Sequence, residues 1–282
     1  MLQINNTTEL KEFFHYSDNR VPLICAHRGG ARAGYPENAI ATFEHTLTRM
    51  HAFFEVDPRL TKDGEIVAFH DETLDRTTNG TGKLTDYTWD EVKQLKLRDE
   101  KGNITPYGIP KLEDVLQWAK GKTILILDKK NVPYSRLLKL IEANHAEACV
   151  LVSAYHLKEA QYYYKRNPNI IFEAMIKDKK TMKAYEEAGI PWENIIAFTG
   201  QPLDASLNAR LHKKGVMCMA STMKFQDKEK GRASRIAGYK DIVTNGGIDI
   251  LLSNEPADLS MALQSLLPES SSKVKFFKKE PI

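Results

Sequence analysis

Four short clusters carry the ionisable side chains from which a reaction could be built. His27-Arg28-Gly29-Gly30 follows an apolar run, Glu55-Val56-Asp57 lies inside a second, His70-Asp71 closes a third, and Asp128-Lys129-Lys130 closes a fourth. Glu55 and Asp57 are two residues apart, so in an extended strand both side chains leave the same face. Two carboxylates aimed together repel, and one divalent cation relieves that repulsion; hard oxygen donors suit Mg²⁺ or Ca²⁺. Asp128 is the candidate third ligand. A solvated or lysine-paired acid pair is the plainer reading of an isolated Glu-x-Asp, but the flanking Phe53, Phe54 and Val56 argue against a solvent-facing edge. His27 and His70, with a reference pKa of ~6.5, suit general base and general acid near neutral pH. Either one alone would read as a structural histidine. Arg28 and Lys130 supply charge that could hold a phosphate; the plainer alternative is ion pairing, for instance Lys130 with Asp128. No His/Cys set has the spacing of a zinc site.

These clusters need elements to bring them together. Short apolar runs alternate with amphipathic stretches along most of the chain, which implies parallel pairing and an α/β class. The runs are Val21 to Ala26, Phe53 to Leu60, Ile66 to Phe69, Thr123 to Leu127, Cys149 to Ser153, Ile170 to Met175, Ile195 to Phe198, Val216 to Met219 and Ile248 to Leu252. Between them lie helical patterns such as Ala39, Ile40, Phe43, Leu47 and Met50, and the stretches from Tyr134 to Ala143, His156 to Lys165 and Ala205 to Lys213. A closed (β/α)₈ barrel needs eight strands, one fewer than the candidates. The surplus is explained by a hairpin. Asp63-Gly64 is a two-residue turn signal; with that turn, Lys62 faces Glu65 and Asp57 faces His70. In a barrel the C-terminal ends of parallel strands face the active site, so the four clusters are expected to converge there. Residues 71–110 break the alternation. Leu74 to Gly82 reads as a polar loop, followed by a short helix from Thr88 to Leu95 with Thr88 as cap and Glu91 three residues on. The region is read as an excursion on the barrel rim.

The clusters occur within one ordered pattern: His-Arg-Gly at 27–29, Pro36-Glu37-Asn38, Glu55-Val56-Asp57, Leu60-Thr61-Lys62-Asp63-Gly64, His70-Asp71, and Leu74-Asp75-Arg76-Thr77-Thr78-Asn79-Gly80-Thr81-Gly82. This closely resembles the glycerophosphodiester phosphodiesterase family. The later Ile109-Pro110-Lys111-Leu112-Glu113-Asp114-Val115-Leu116 and Gly247-Ile248-Asp249-Ile250-Leu251-Leu252-Ser253-Asn254-Glu255-Pro256 extend the resemblance thinly to about Leu259. It implies a distorted (β/α)₈ TIM barrel with a β-hairpin arm and a small inserted segment. It also implies divalent-metal-dependent hydrolysis of glycerophosphodiesters to glycerol 3-phosphate and an alcohol. By position, His27 and His70 match the family's acid–base pair, Glu55 and Asp57 its metal ligands, and Arg28 a phosphate contact. Asp128 stands where a metal-binding glutamate is usual, with Lys130 matching the lysine two residues on. Three further departures are Pro58 after the second acid, the tryptophan-free strand Val216 to Ala220, and Asn254-Glu255 where an Asp is usual. The expected partner is a small glycerophosphodiester. The alternatives are a phospholipase-type phosphodiesterase acting on lysophospholipid or phosphoinositide head groups, and a non-catalytic phosphoester-binding barrel.

Composition bounds the reading. The 282 residues are 42% hydrophobic and 27% charged, which excludes disordered, collagen-like and coiled-coil chains. A net charge of +3 gives no reason to invoke nucleic acid. No apolar run is long enough for a transmembrane segment. Cys25, Cys149 and Cys218 are far apart in apolar runs and read as buried thiols. Residues 1–20 are expected as an N-terminal extension, 21–267 as one barrel domain, and 268–282 as a tail. The tail's Lys273, Lys275, Phe276, Phe277, Lys278 and Lys279 suggest a solvated segment or an anionic-surface contact. The sequence leaves the compartment open between cytoplasmic and periplasmic or exported, and leaves the oligomeric state open.

Overall fold

The computed structural model describes residues 1–278. Eight parallel strands close a barrel: β1 (Leu23–His27), β2 (Phe53–Val56), β5 (Leu125–Leu127), β6 (Val150–Ala154), β7 (Ile171–Met175), β8 (Ile195–Phe198), β9 (Cys218–Ser221) and β10 (Ile250–Ser253). β3 (Pro58–Leu60) and β4 (Ile66–Ala68) form a separate antiparallel hairpin. The helices are α1 (Thr7–Phe14), α2 (Ile40–Leu47), α3 (Trp89–Val92), α4 (Leu112–Ala119), α5 (Tyr134–Ala143), α6 (Leu157–Arg166), α7 (Lys179–Glu187), α8 (Ala205–His212), α9 (Arg232–Thr244) and α10 (Pro256–Gln264). The chain is therefore a (β/α)₈ barrel with a hairpin arm.

Period-two alternation sorts each strand's residues between two cores. Cys25, Phe53, Ile126, Leu151, Ile171 and Ile196 fill the barrel interior. Phe54, Val56, Leu125, Val152 and Phe172 face outward, against helical residues such as Phe43, Leu116, Ile141 and Tyr163. Truncating one such aromatic would cost about 3–5 kcal/mol. A third, smaller core holds Val67, Phe69, Leu74, Leu84, Leu97 and Ile109, so the segment after the hairpin packs a floor of its own.

The long apolar run Phe53 to Leu60 is broken at Asp57. Pro58 lacks the N–H that a continuing barrel strand would need. The chain leaves the barrel there and enters the hairpin.

The hairpin register differs by one residue from the expected one. Pro58 pairs with Ala68 and Leu60 with Ile66, so Asp57 faces Phe69, whose N–H donates to the Asp57 carbonyl at 2.8 Å. Three residues, 62–64, close the loop, with Gly64 left-handed at φ +87. Thr61 closes it, donating its N–H to the Glu65 carbonyl and accepting from the Glu65 N–H at its hydroxyl. Asp63 is committed elsewhere: its carboxylate accepts from the Thr61 hydroxyl and from the Trp89 N–H at the start of α3. Lys62 donates its N–H to the Tyr87 carbonyl, and so it does not face Glu65.

The two ends of the chain pack rather than project. Asn6 caps α1 by accepting from the Glu9 N–H, and Leu10, Phe13 and Phe14 are buried with the interior core. Phe14 meets Phe53 edge-on at 5.8 Å, and Phe276 meets Phe13 at 5.5 Å. Lys273 is buried, and its ammonium donates to the Glu12 carbonyl. The solvated reading of the tail therefore does not hold for Lys273 and Phe276, while Val274 and Lys275 remain exposed; Lys279 lies outside the described residues. No helix among the described residues is long and apolar enough to cross a membrane.

Candidate active site at the barrel mouth

Strand alternation builds this site. On β1, Cys25 points into the barrel, and His27, two residues on, sits above it. On β2 the same step leads from Phe53 to Glu55, and then to Asp57 just past the strand. β1 and β2 pair His27 with Glu55. Asp128 follows β5 and donates its N–H to the Val56 carbonyl at 2.9 Å, which sets it beside Asp57. One oxygen each of Glu55, Asp57 and Asp128 lie within 4.8 Å of one another, and all three residues are buried.

Cations and amides surround this acid cluster. Lys130 places its ammonium 3.0 Å from Asp57 and also in contact with Asp128. Arg28 Nε lies 3.2 Å from Asp57 Oδ2. Asn38, left-handed at φ +57, grips Asp57 twice: its Nδ2 donates to Oδ2 at 2.7 Å and its Oδ1 accepts from the Asp57 N–H at 3.1 Å. The Tyr155 hydroxyl donates to Asp128 Oδ1 at 2.6 Å.

His27 Nδ1 is 2.7 Å from Asn254 Oδ1, and its Nε2 is 3.7 Å from Glu55 Oε2. His70 Nδ1 is 2.6 Å from Asp71 Oδ1. His70 lies beyond the β3–β4 ladder, so no cross-strand pair directs it. Its ring is held by Asp71, and its carbonyl by Arg59 Nε at 2.5 Å.

The charge balance follows from burial. Burial, and then the charges of Asp57 and Asp128, push the Glu55 carboxyl well above the usual carboxylate range. Burial works the same way on Asp57, but Lys130, Arg28 and Asn38 outweigh it and hold that carboxyl low. Burial and then Arg28 pull His27 below the ordinary histidine value. Across the barrel, Glu173 on β7 shares an inward row with Ser153 on β6 and accepts from the Ser153 hydroxyl at 2.5 Å. Burial raises Glu173 to about 7.

Residues 27–192 match the Glycerophosphoryl diester phosphodiesterase family. The structure resembles a crystal structure of a glycerophosphoryl diester phosphodiesterase from Parabacteroides distasonis, with 48% sequence identity, a TM-score of 0.95 and 98% of each chain covered. A glycerophosphodiester phosphodiesterase of Bacillus altitudinis is 35% identical over 167 residues, 55% of this chain and 66% of that one. Another, from Caldanaerobacter subterraneus, is 34% identical over 156 residues, 52% of this chain and 64% of that one. The chain belongs to the glycerophosphoryl diester phosphodiesterase family. It spans a little under two thirds of the length of these two curated relatives.

For this family member, the donor set at the mouth fits a hard divalent cation. Three buried carboxylates converge, with Lys130 and Arg28 as the neighbouring cationic groups. Buried Asp57 Oδ1 faces the Lys130 ammonium at 3.0 Å, so a cationic group is already what this oxygen takes as partner. All donors are oxygens, as Mg²⁺ or Ca²⁺ requires. A second cluster, His212, Cys218 and Asp249, sits at the opposite end of the barrel. There Asp249 is already taken by Arg20 Nε at 2.5 Å, His212 Nε2 at 2.8 Å and the Cys218 N–H at 2.7 Å, which makes it a structural knot.

The structure brings together at one mouth His27, Arg28, Glu55, Asp57, Asp128 and Lys130, with His70 at the adjoining hairpin end. Sequence reasoning assigned no role to Asn38, Tyr155, Glu173 or Asn254. Asn38 lay inside the quoted Pro36-Glu37-Asn38 motif. Glu173 had a readable signal, a lone acid in the apolar run Ile170 to Met175. Asn254 lay inside the quoted Gly247 to Pro256 stretch and stood out there as a departure; Tyr155 had no signal beyond its place just after a strand end.

Proposed function

We propose that this protein hydrolyses glycerophosphodiesters to glycerol 3-phosphate and an alcohol, using one Mg²⁺ or Ca²⁺ held by Glu55, Asp57 and Asp128. The observation that carries this reading is the gathering of three buried carboxylates within 4.8 Å at the mouth of the barrel, beside His27. When bound, the cation would offset charge building on the phosphoryl oxygens.

Arg28 and Lys130 would hold the remaining phosphoryl oxygens by charge-assisted hydrogen bonds. The Asn254 carbonyl oxygen accepts from His27 Nδ1, so His27 Nε2 keeps its lone pair. Burial and Arg28 favour the neutral ring, which suits a general base taking the nucleophile's proton. His70 has the complementary setting. Its Nδ1 donates to the Asp71 carboxylate, which orients the ring and leaves Nε2 as the atom that would pass a proton to the leaving alkoxide. The proton balance closes, since one histidine gains a proton as the other gives one up.

The test is glycerol 3-phosphate release from glycerophosphocholine, with Mg²⁺, with Ca²⁺ and with chelator. Turnover should require the cation and vanish on chelation. Undiminished turnover in chelator would overturn the cation's part, and no turnover on any glycerophosphodiester tried would overturn the reading.

A further inference from the structure

We propose that Arg76 is a positioning residue, holding His70 through Asp71 and Arg28 through Glu37 with a single guanidinium. The inference rests on the roles proposed above for His70 and Arg28.

Arg76 lies on the loop after the hairpin, half exposed, with no contact to the three-carboxylate cluster. Both edges of its guanidinium are filled. Toward Asp71, Nε donates to Oδ2 at 2.6 Å and Nη2 to Oδ1 at 2.9 Å. Toward Glu37, Nη1 donates to Oε2 at 2.8 Å and Nη2 to Oε1 at 2.8 Å. Each carboxylate passes the contact on. Asp71 Oδ1 takes His70 Nδ1, and Glu37 Oε1 takes Arg28 Nη1 at 3.1 Å. Two chains of hydrogen bonds, one ending on the proposed general acid and one on a proposed phosphate-binding side chain, therefore start at one residue.

Two features make this more than a surface ion pair. First, the geometry needs a planar fork. Glu37 and Asp71 both place an oxygen on Nη2, and without the cation between them the two acids would repel and turn to solvent. A lysine has one nitrogen and cannot bind both bidentately. Arg76 holds the Asp71 carboxyl well below its ordinary range, with His70 adding to the effect, so Asp71 remains an acceptor for the imidazole. Second, the backbone that presents Arg76 is anchored on both sides. Leu74 is buried in the small third core, and buried Thr78 donates its hydroxyl to the Leu74 carbonyl at 2.7 Å. Arg98 Nε binds the Thr78 carbonyl at 2.7 Å, and nearby Asp99 accepts from the Gly34 N–H in the loop after β1. The segment after the hairpin thus braces the same loop that carries Glu37.

Arg76 itself is half exposed, so Arg76→Met should still fold, with the lost network lowering Tm by about 2–4 °C. Its kcat for glycerophosphodiester hydrolysis should fall by about 10–100-fold, the scale seen when an outer partner of a reacting group is removed. Inhibition by inorganic phosphate should weaken as Arg28 loses its support. The decisive readout is coupling. Asp71→Asn should lower kcat by itself, and adding Arg76→Met to Asp71→Asn should cost less than about 3-fold more. Likewise, Arg76→Met should weaken phosphate inhibition little further in Glu37→Gln. Arg76→Lys keeps the charge but not the fork, and should recover only part of the loss; it also provides the comparison if Arg76→Met folds poorly. Wild-type turnover in Arg76→Met, or losses that multiply fully in the double variants, would overturn the inference. His70→Ala separates the two levels. If it is inactive while Arg76→Met is unimpaired, only the role of Arg76 fails. If His70→Ala turns over normally, the reading of His70 fails and takes this inference with it.

Discussion

Replacing Glu173 by Gln should stabilise the protein above neutral pH and leave it unchanged in acid. Glu173 is buried on β7, with the Ser153 hydroxyl as donor to Oε2. Burial raises its carboxyl from 4.5 to about 7, the Asp128 charge adding to the effect and Ser153 opposing it. Between those values the folded chain keeps a proton that the unfolded chain releases. The stability gained from that proton is complete below pH 4.5 and lost as pH rises through 7. The gap corresponds to roughly 3 kcal/mol. Gln keeps an acceptor for Ser153 and has no charge to bury, so it escapes the loss. Unfolding entropy of ~2.1 cal/mol/K per residue converts that difference to about 5 °C in Tm for a chain of this length. The assay is urea and thermal unfolding of both proteins in chelator, from pH 4 to 8.5. Wild-type stability should fall relative to Glu173→Gln between pH 5 and 8. Two curves that stay parallel over that range would refute the reasoning, because the proton would then be no tighter in the folded state.

His27→Ala and His70→Ala should each lower kcat by about 10²–10⁴-fold with the far-ultraviolet spectrum intact, the scale of a positioned proton-transfer group; a steady-state assay at saturating cation checks this. Asn38→Ala strands the buried N–H of Asp57, leaves Oδ2 with Arg28 Nε at 3.2 Å, and puts alanine at φ +57. It should cost about 2–4 kcal/mol, combining one unmet polar group and one lost charge-assisted hydrogen bond with left-handed strain, and urea unfolding measures it. A Cβ on Gly30, left-handed at φ +76, would lie 2.5 Å from the Pro256 ring. Gly30→Ala should therefore lower stability by about 2–4 kcal/mol, seen as a drop in Tm.

Much of this protein was legible in the order of its residues. The barrel could be read because each parallel strand is a short apolar run and each outer helix an amphipathic one, and those periods are local. The chemistry-bearing clusters stood out for the same reason: Glu55 and Asp57 share a face by strand geometry alone, and His27 ends a strand whose C-terminal end must face the mouth. Pro58 reads only as a departure inside one run, Phe53 to Leu60, and the structure shows the chain leaving the barrel there.

What the sequence did not decide depends on partners far away along the chain. Asp63-Gly64 read as a two-residue turn, yet Asp63 accepts from the N–H of Trp89 and the loop closes one residue wider, which moves Asp57 from His70 to Phe69. The tail read as solvated because of its lysines, while Phe276 finds Phe13 under the barrel. Asn254 reaches His27 only once the first and last strands of the barrel stand side by side, Tyr155 reaches Asp128 across neighbouring strand ends, and Arg76 joins Asp71 to Glu37 only once the loop after the hairpin meets the loop after β1. Periodicity fixes which face a side chain leaves. Which donor meets which acceptor across that face is a matter of distance in space, and only the closed barrel sets those distances.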